Sequence, residues 1–336
     1  MSNTKQILSM LRSRAEGDED QFLAIALQVA AAEARQGRRT NAEQLRAAVE
    51  ELRRSGGGDK PSVSVSLARP RGNLEGLLDL REPGLRLSRV VLADALRAKL
   101  DRVVLQQERR AWLREGNRVP LRRLLFAGPP GSGKTMTAEA LAGELHLPFL
   151  VVRLEALITR YMGETAAKLR LVFDETIRRR GVYLFDEFDA VGGKRLATND
   201  VGEMRRVLNS FLQFMEEPAS TDSVILAATN HPELLDPALQ RRFDDVLHFD
   251  MPSPDEIREV ICNHLRPMKA PRIAWKRVIE AGMGLSQAEL ARAADEAAKV
   301  ALLSERDTVR TDDLLLELEA RHDMRDVFNG GQEAAR

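Results

Sequence analysis

Four short stretches of this chain carry residues whose types and spacing suit chemistry on a polyphosphate. The first is GPPGSGKT, Gly128 to Thr135. Gly128, Gly131 and Gly133 reach backbone conformations closed to other residues, so successive N–H groups can turn inward around phosphate oxygens. Lys134 can reach the outer phosphates, and the Thr135 hydroxyl can ligate Mg²⁺. The second is VYLFDEFDA, which sets Asp186 beside Glu187 about fifty residues downstream. Hydrolysis of ATP needs one carboxylate to hold Mg²⁺, usually through its waters, and another to polarise the attacking water. Asp186 is read as the metal residue and Glu187 as the general base. The third, VILAATN, ends on Asn230. Its uncharged amide can hold the attacking water or sense the terminal phosphate; in isolation it also reads as a turn residue before His231 and Pro232. The fourth, LDPALQRRFDD, carries Arg241 and Arg242. They can neutralise charge on a transferring phosphoryl group, or form a surface pair with Asp244 or Asp245.

These residues need a scaffold that brings them to one edge, and the apolar pattern supplies it. The phosphate loop follows Leu124, Leu125, Phe126 and Ala127 and leads into an Ala-, Glu- and Leu-rich stretch from Met136 to Leu145, a strand handing over to a helix. Beyond it, apolar runs at Phe149 to Leu154, Val182 to Phe185, Val224 to Thr229 and Val246 to Phe249 alternate with helical stretches at Thr165 to Arg179 and Val201 to Glu216. Strands apolar throughout and separated by helices predict a parallel sheet covered on both faces. Ligands of such sheets bind at the carboxyl ends of the strands, where all four stretches fall. From Pro254 the pattern is helical only, over Asp255 to Leu265, Ala274 to Ala281, Gln287 to Leu303 and Thr311 to Ala320, with Ser286 and Thr311 as N-caps.

The expected architecture is therefore an α/β parallel-sheet large domain over residues 85–252 and a small all-helical lid over 253–325, with a disordered tail from 326 to 336. One long charged helix is expected from Leu87 to Glu115; its arginines alternate with Asp94, Asp101, Glu108 and Glu115, so a solvated face is the better reading than a nucleic-acid surface. Residues 1–55 read as a helical hairpin, with Gly37 ending one helix. Residues 56–84 read as a linker and extended lead-in, opened by Gly- and Ser-rich sequence and followed by the alternating Val63, Val65 and Leu67.

Composition narrows the setting. The 336 residues include 30% charged side chains with a formal net charge of zero, so no global field draws nucleic acid or an anionic membrane. The single cysteine, Cys262, excludes an internal disulfide and fits a reducing compartment. No apolar run approaches the length of a membrane span, and a cytoplasmic protein is expected.

Taken together, the ordered motifs resemble the AAA family of AAA+ P-loop ATPases, over roughly Leu85 to Arg321, in a bacterial type with an N-terminal helical hairpin. The resemblance implies ATP and Mg²⁺ as cofactors and a homo-oligomeric ring or spiral, commonly a hexamer, with ATP bound between subunits. It places Gly128, Pro129, Pro130, Gly131, Ser132, Gly133, Lys134, Thr135 and Met136 in or beside Walker A. Asp186 and Glu187 fall in Walker B, Asn230 at sensor 1, and Arg241 with Arg242 at the arginine fingers given to the adjacent subunit. The adjacency of the two arginines matches members related to the microtubule-severing enzymes and leaves open which one touches phosphate. Gly284 to Glu289, GLSQAE, resembles the family's GFSGAD and lacks the sensor 2 arginine of other branches, which makes Gly284 and Ala288 nucleotide neighbours. His264 falls where members place a histidine near adenine and ribose, and also reads as a helix-packing residue.

The stretch ITRYMGET resembles the first pore loop of AAA unfoldases: Tyr161 and Met162 would grip an extended polypeptide and Gly163 would let the loop bend. Gly192 to Arg195, GGKR, reads as a second pore loop or a solvated turn. The leading expectation is thus an ATP-driven protein unfoldase or remodeller that threads substrate through a ring. The sequence holds neither HExxH nor GxSxG, so degradation would require a separate peptidase, reached directly or through an adaptor on the N-terminal hairpin. Two alternatives stand beside it: a DNA-remodelling or transposition-type ATPase, opposed by the neutral charge and the aromatic-Gly loop, and a nucleotide-controlled assembly switch, opposed by an intact Glu187.

Overall fold

The computed structural model describes residues 74–157, 164–189, 201–217, 221–235, 241–268, 270 and 272–333. The hairpin and the lead-in strand expected before residue 74, Tyr161 to Gly163 and Gly192 to Arg195 lie outside them.

Six strands form one sheet: β1 (Leu78–Arg81), β2 (Arg123–Ala127), β3 (Phe149–Val152), β4 (Val182–Phe185), β5 (Val224–Thr229) and β6 (Asp245–His248), in the order β1-β3-β4-β5-β2-β6. All pairings are parallel except β1 with β3, which run antiparallel with Leu78 opposite Val152. Every residue of β4 and β5 is buried, as central strands clad on both faces require. Alternation then sorts their side chains. Leu125, Tyr183, Phe185 and Ile225 face one layer, against Phe173 of the helix Glu164–Arg178 and Phe211 of the helix Val201–Glu216. Leu124, Phe126, Leu184 and Leu226 face the other, against Leu100 and Val103 of α1 (Asp94–Glu108) and Ala138 and Leu141 of α3 (Lys134–Glu144). The short α2 (Arg110–Glu115) follows α1, and α4 (Leu154–Leu157), α5 (Glu164–Arg178) and α6 (Val201–Glu216) follow β3 and β4.

The lid consists of α7 (Pro254–Leu265), α8 (Trp275–Gly282), α9 (Gln287–Leu303) and α10 (Thr311–Glu333) around its own core of Ile257, Ile261, Leu290, Ala294 and Leu314. Capping boxes start α7 at Ser253 and α9 at Ser286, and the Ser286 backbone N–H reaches Glu289 Oε2 at 2.7 Å.

Three features depart from the sequence expectation. The stretch Leu87 to Glu115 is not one helix but a 3₁₀ turn at Leu87–Arg89 followed by α1 and α2, which meet at Arg109. The reason lies in Val90 and Val91: both are buried, Val90 in the core below the sheet and Val91 in the lid core, and a continuous helix cannot serve both. Residues 78–81 form a strand inside the stretch read as linker and lead-in. The last helix runs to Glu333, past the tail expected from 326; His322 Nε2 lies 2.8 Å from the Ala281 carbonyl and Arg325 bonds the Gly284 carbonyl, which pins the helix to the lid as far as that boundary.

Candidate nucleotide site

The site grows from the turn between β2 and α3. Gly128 N–H donates to the Thr229 carbonyl at 3.3 Å, and a Cβ at Gly128 would collide with the Phe249 carbonyl, so glycine is required for the end of β6 to approach. Gly131 has φ +75°, and a Cβ there would lie 2.7 Å from Ser286 Oγ and 3.2 Å from Ala288 Cβ. Ala288 N–H donates to the Gly131 carbonyl at 3.0 Å, so the start of α9 sits directly on the loop.

Lys134 opens α3 and is only 6% exposed. Its ammonium donates to the carbonyls of Gly128 and Pro129, both at 2.8 Å, and lies 3.4 Å from Ser132 Oγ. Burial holds its pKa below the ordinary lysine value, and the charges of Asp186 and Asp189 partly offset that. A buried cation resting on neutral acceptors gains most from an arriving anion, which a phosphate supplies.

Thr135 Oγ1 donates to Asp186 Oδ2 at 2.6 Å, and Asp186 Oδ1 accepts from the Glu187 N–H at 2.9 Å. Glu187 has φ +50°, in the left-handed region. The next N–H, of Phe188, donates to the Ala228 carbonyl at 2.8 Å and ties the turn to β5. Asp189 Oδ1 then accepts from Thr229 Oγ1 at 2.9 Å and from the Asn230 N–H at 3.3 Å.

A cavity of about 490 Å³ lies between the large domain and the lid, within the range of small-molecule sites. Pro130, Gly131, Gly133, Lys134, Thr135, Met136, Asp186, Glu187, Asn230, His264 and Ala288 all line it, so most of the sequence-predicted site residues share one space. Gly128, Pro129 and Ser132, also in the loop, do not line the cavity, and the Ser132 hydroxyl donates to the Pro129 carbonyl at 2.8 Å. Gly284 does not line the cavity; Arg325 occupies its carbonyl. His264 is exposed, with Nδ1 3.3 Å from Asp295 Oδ1. Arg241 and Arg242 lie outside this cavity, just before the first residue of β6 and so at the amino edge of the sheet rather than the carboxyl edge expected for this stretch: Arg241 is exposed and Arg242 pairs with Glu216. The partners considered for them in sequence are engaged elsewhere, Asp244 by Arg123 at 2.6 Å and Asp245 by Lys99 at 3.0 Å.

Sequence reading missed four residues. Arg89, Asn263 and Gln287 line the cavity, and Gln287 Nε2 donates to the Val91 carbonyl at 3.1 Å, closing the lid onto the segment before α1. Asp189 was overlooked because its partners lie forty residues on; its only signal is a second aspartate three positions after Asp186. Among the described residues, no three or more His, Cys, Asp or Glu side chains gather as a metal cluster. One hydroxyl and one carboxylate at the phosphate loop suit Mg²⁺, which keeps most of its waters and takes few protein ligands. No helix among the described residues is long and apolar enough to cross a membrane.

Comparison with known proteins agrees with this geometry. Residues 124–251 match the family described as "ATPase family associated with various cellular activities (AAA)". The uncharacterized AAA family ATPase y4kL of Sinorhizobium fredii is 32% identical over 299 residues, 88% of this chain and 89% of that one. The ATP-dependent zinc metalloprotease FtsH of Acidothermus cellulolyticus is 36% identical over 242 residues, 69% of this chain but 36% of its own length. The proteasome-activating nucleotidase of Pyrococcus abyssi is 34% identical over 203 residues, 58% of this chain and 51% of its own. Phosphate loop, paired carboxylates, sheet order and these likenesses converge: the chain belongs to the AAA family of AAA+ P-loop ATPases.

Proposed function

We propose that this ATPase works as a homo-oligomeric ring, hexameric as the family resemblance implies, and spends ATP on remodelling or unfolding protein substrates drawn through its centre. The observation that carries the reading is a division of the machinery. Lys134, Thr135, Asp186, Glu187 and Asn230 border one cavity, while Arg241 stands exposed outside it. A phosphoryl-neutralising arginine that cannot serve its own site is placed to serve a neighbour's, which makes turnover depend on assembly. Arg241, the more exposed of the two arginines, is the principal finger in this reading.

At the site, Glu187 takes the proton of the attacking water, the Asn230 amide holds that water, and Lys134 leaves its carbonyl perch to meet the outer phosphates. Thr135 and Asp186 would hold Mg²⁺, which supplies charge neutralisation on the phosphates. A polypeptide substrate is favoured by likeness to relatives whose names join ATP use to a metalloprotease and to the proteasome. Tyr161, Met162 and Gly163, which follow β3 and α4 in the chain, are the proposed gripping loop, with degradation left to a separate peptidase and the work done in the cytoplasm.

The test is ATP turnover per subunit against protein concentration, at fixed Mg²⁺ and ATP. Steep concentration dependence is expected, with restored turnover when Glu187→Gln and Arg241→Ala chains, each inactive alone, are mixed. Concentration-independent turnover, or no recovery on mixing, would sink the ring reading. Tyr161→Ala is then expected to abolish work on an unfolded protein while basal hydrolysis continues.

A further inference from the structure

We infer that Asp189 is a positioning residue: its carboxylate clasps the turn bearing Glu187 to the strand end bearing Asn230, and so fixes the base relative to the water-holding amide. The inference rests on the roles given above to Glu187 and Asn230.

Two consecutive fastenings join the turn to β5. The first is backbone, from Phe188 N–H to the Ala228 carbonyl at 2.8 Å, with the Phe188 ring buried against Phe211 at a centroid distance of 4.7 Å. The second is the Asp189 side chain. Its Oδ1 accepts from the fully buried Thr229 hydroxyl at 2.9 Å and from the Asn230 N–H at 3.3 Å. The Thr229 oxygen in turn accepts from the His231 N–H at 3.0 Å, so one hydroxyl gives its proton to Asp189 and takes a hydrogen bond from the residue after Asn230. Bonds chained in this way reinforce one another. Asn230 is thereby held by the backbone on both sides of its amide side chain.

Glu187 depends on this arrangement for a physical reason. Its φ of +50° is a conformation that a non-glycine residue keeps only when its surroundings impose it. On its amino side the turn is anchored by β4, and on its carboxyl side by Phe188 and Asp189. Removing the carboxylate leaves Thr229 with a buried hydroxyl proton and no acceptor, and leaves the base and the amide on segments joined by one bond instead of three. Asp189 is also one of two carboxylates whose charge favours the buried Lys134 ammonium. A displacement on the order of 1 Å at a reacting group can cost about 100-fold in rate.

The test uses the full chain and measures kcat, KM and equilibrium ATP binding for the parent, Glu187→Gln, Asp189→Ala and Asp189→Asn. We expect Asp189→Ala to lower kcat about 10- to 100-fold with ATP affinity changed less than about threefold, since Asp189 does not line the cavity and only its distant charge, not a bond, reaches Lys134. Asp189→Asn keeps an oxygen that accepts both bonds and should recover most of kcat. Equal loss in the Ala and Asn variants would show that charge, not the clasp, is what matters, and would overturn the inference; so would full kcat in Asp189→Ala. Should Asp189→Ala fail to fold, Thr229→Val against Thr229→Ser decides, with loss expected only for Val. The underlying site reading fails separately, if Glu187→Gln turns over ATP like the parent.

Discussion

At the amino edge of the sheet, Asp244 accepts from the N–H groups of Arg122 and Arg123 at 3.0 and 2.9 Å and from the Arg123 guanidinium at 3.0 and 2.6 Å. Asp222, almost fully buried, accepts from Arg114 at 2.8 and 2.5 Å. At the carboxyl edge, barely the length of a strand away, Lys134 rests on two carbonyls and Asp186 meets a threonine hydroxyl. The same kinds of charge are satisfied internally at one edge and held in waiting at the other. Their proton affinities separate accordingly: the hydrogen bonds of Asp222 raise the Arg114 pKa, whereas burial lowers that of Lys134. Arg122 departs from the rule, lowered by burial and by Arg123, and its guanidinium contributes a bond to the Glu217 carbonyl instead. The contrast teaches where binding energy is stored. An anion entering at the carboxyl edge finds in Lys134 a cation whose hydrogen bonds go to neutral carbonyls rather than to an opposite charge.

Mutation should separate the edges. The largest effect belongs to Glu187→Gln, expected to lower ATP turnover about 10²- to 10⁴-fold while ATP binding and the Tm stay near the parent values. Asp244→Ala is next and opposite in kind. It removes the acceptor of four hydrogen bonds and should cost about 3 kcal/mol in denaturant unfolding, with turnover per folded chain preserved. If that variant folds normally but loses turnover, the amino edge is not a purely structural region and the comparison breaks. Lys134→Met sharpens the contrast further. An apolar side chain of similar length removes a buried cation that has no full counter-charge, so stability should hold or rise by at most about 1 kcal/mol while ATP binding is lost. A large drop in Tm would mean that Lys134 is a structural cation after all.

The sequence discloses these two edges unequally. GPPGSGKT is legible because backbone geometry itself demands glycine, as the collision at Gly128 and the positive φ of Gly131 bear out. The central strands are legible because burial on both faces leaves RLLFA, VYLF and VILAAT almost without polar residues. β1 is not: LDLR alternates at the sheet edge over four residues, too short a run to stand apart from a linker. Nor is the break after Arg89, because Val90 and Val91 look like any apolar helix positions until two separate cores claim them. Side-chain bonds across long separations are the least visible. Arg123 to Asp244 and Thr229 to Asp189 join residues whose types suit many partners, and only the strand order selects these. The lid's hold on the loop, Ala288 to Gly131, uses backbone groups and has no sequence signature beyond the fold.

The smallest effect is expected in the lid, where the amino-edge pattern recurs away from any ligand. Arg306 donates to both oxygens of Asp313 at 2.7 and 3.0 Å, and the Arg310 N–H adds a third bond at 2.9 Å. These partners, Arg306 foremost, hold the Asp313 carboxyl below its ordinary value. A carboxyl lowered in the folded state adds stability above its unfolded pKa, about 3.9, and that stability disappears as pH falls through the native value. Asp313→Asn should therefore lower the Tm by about 2 °C at pH 7. The gap between variant and parent should narrow once the pH drops below about 4, because the parent then loses the same charge. A gap that persists unchanged at pH 3 would locate the effect in the three hydrogen bonds rather than in charge. The rule drawn from the sheet edges would then hold only where a carboxylate is buried as deeply as Asp222.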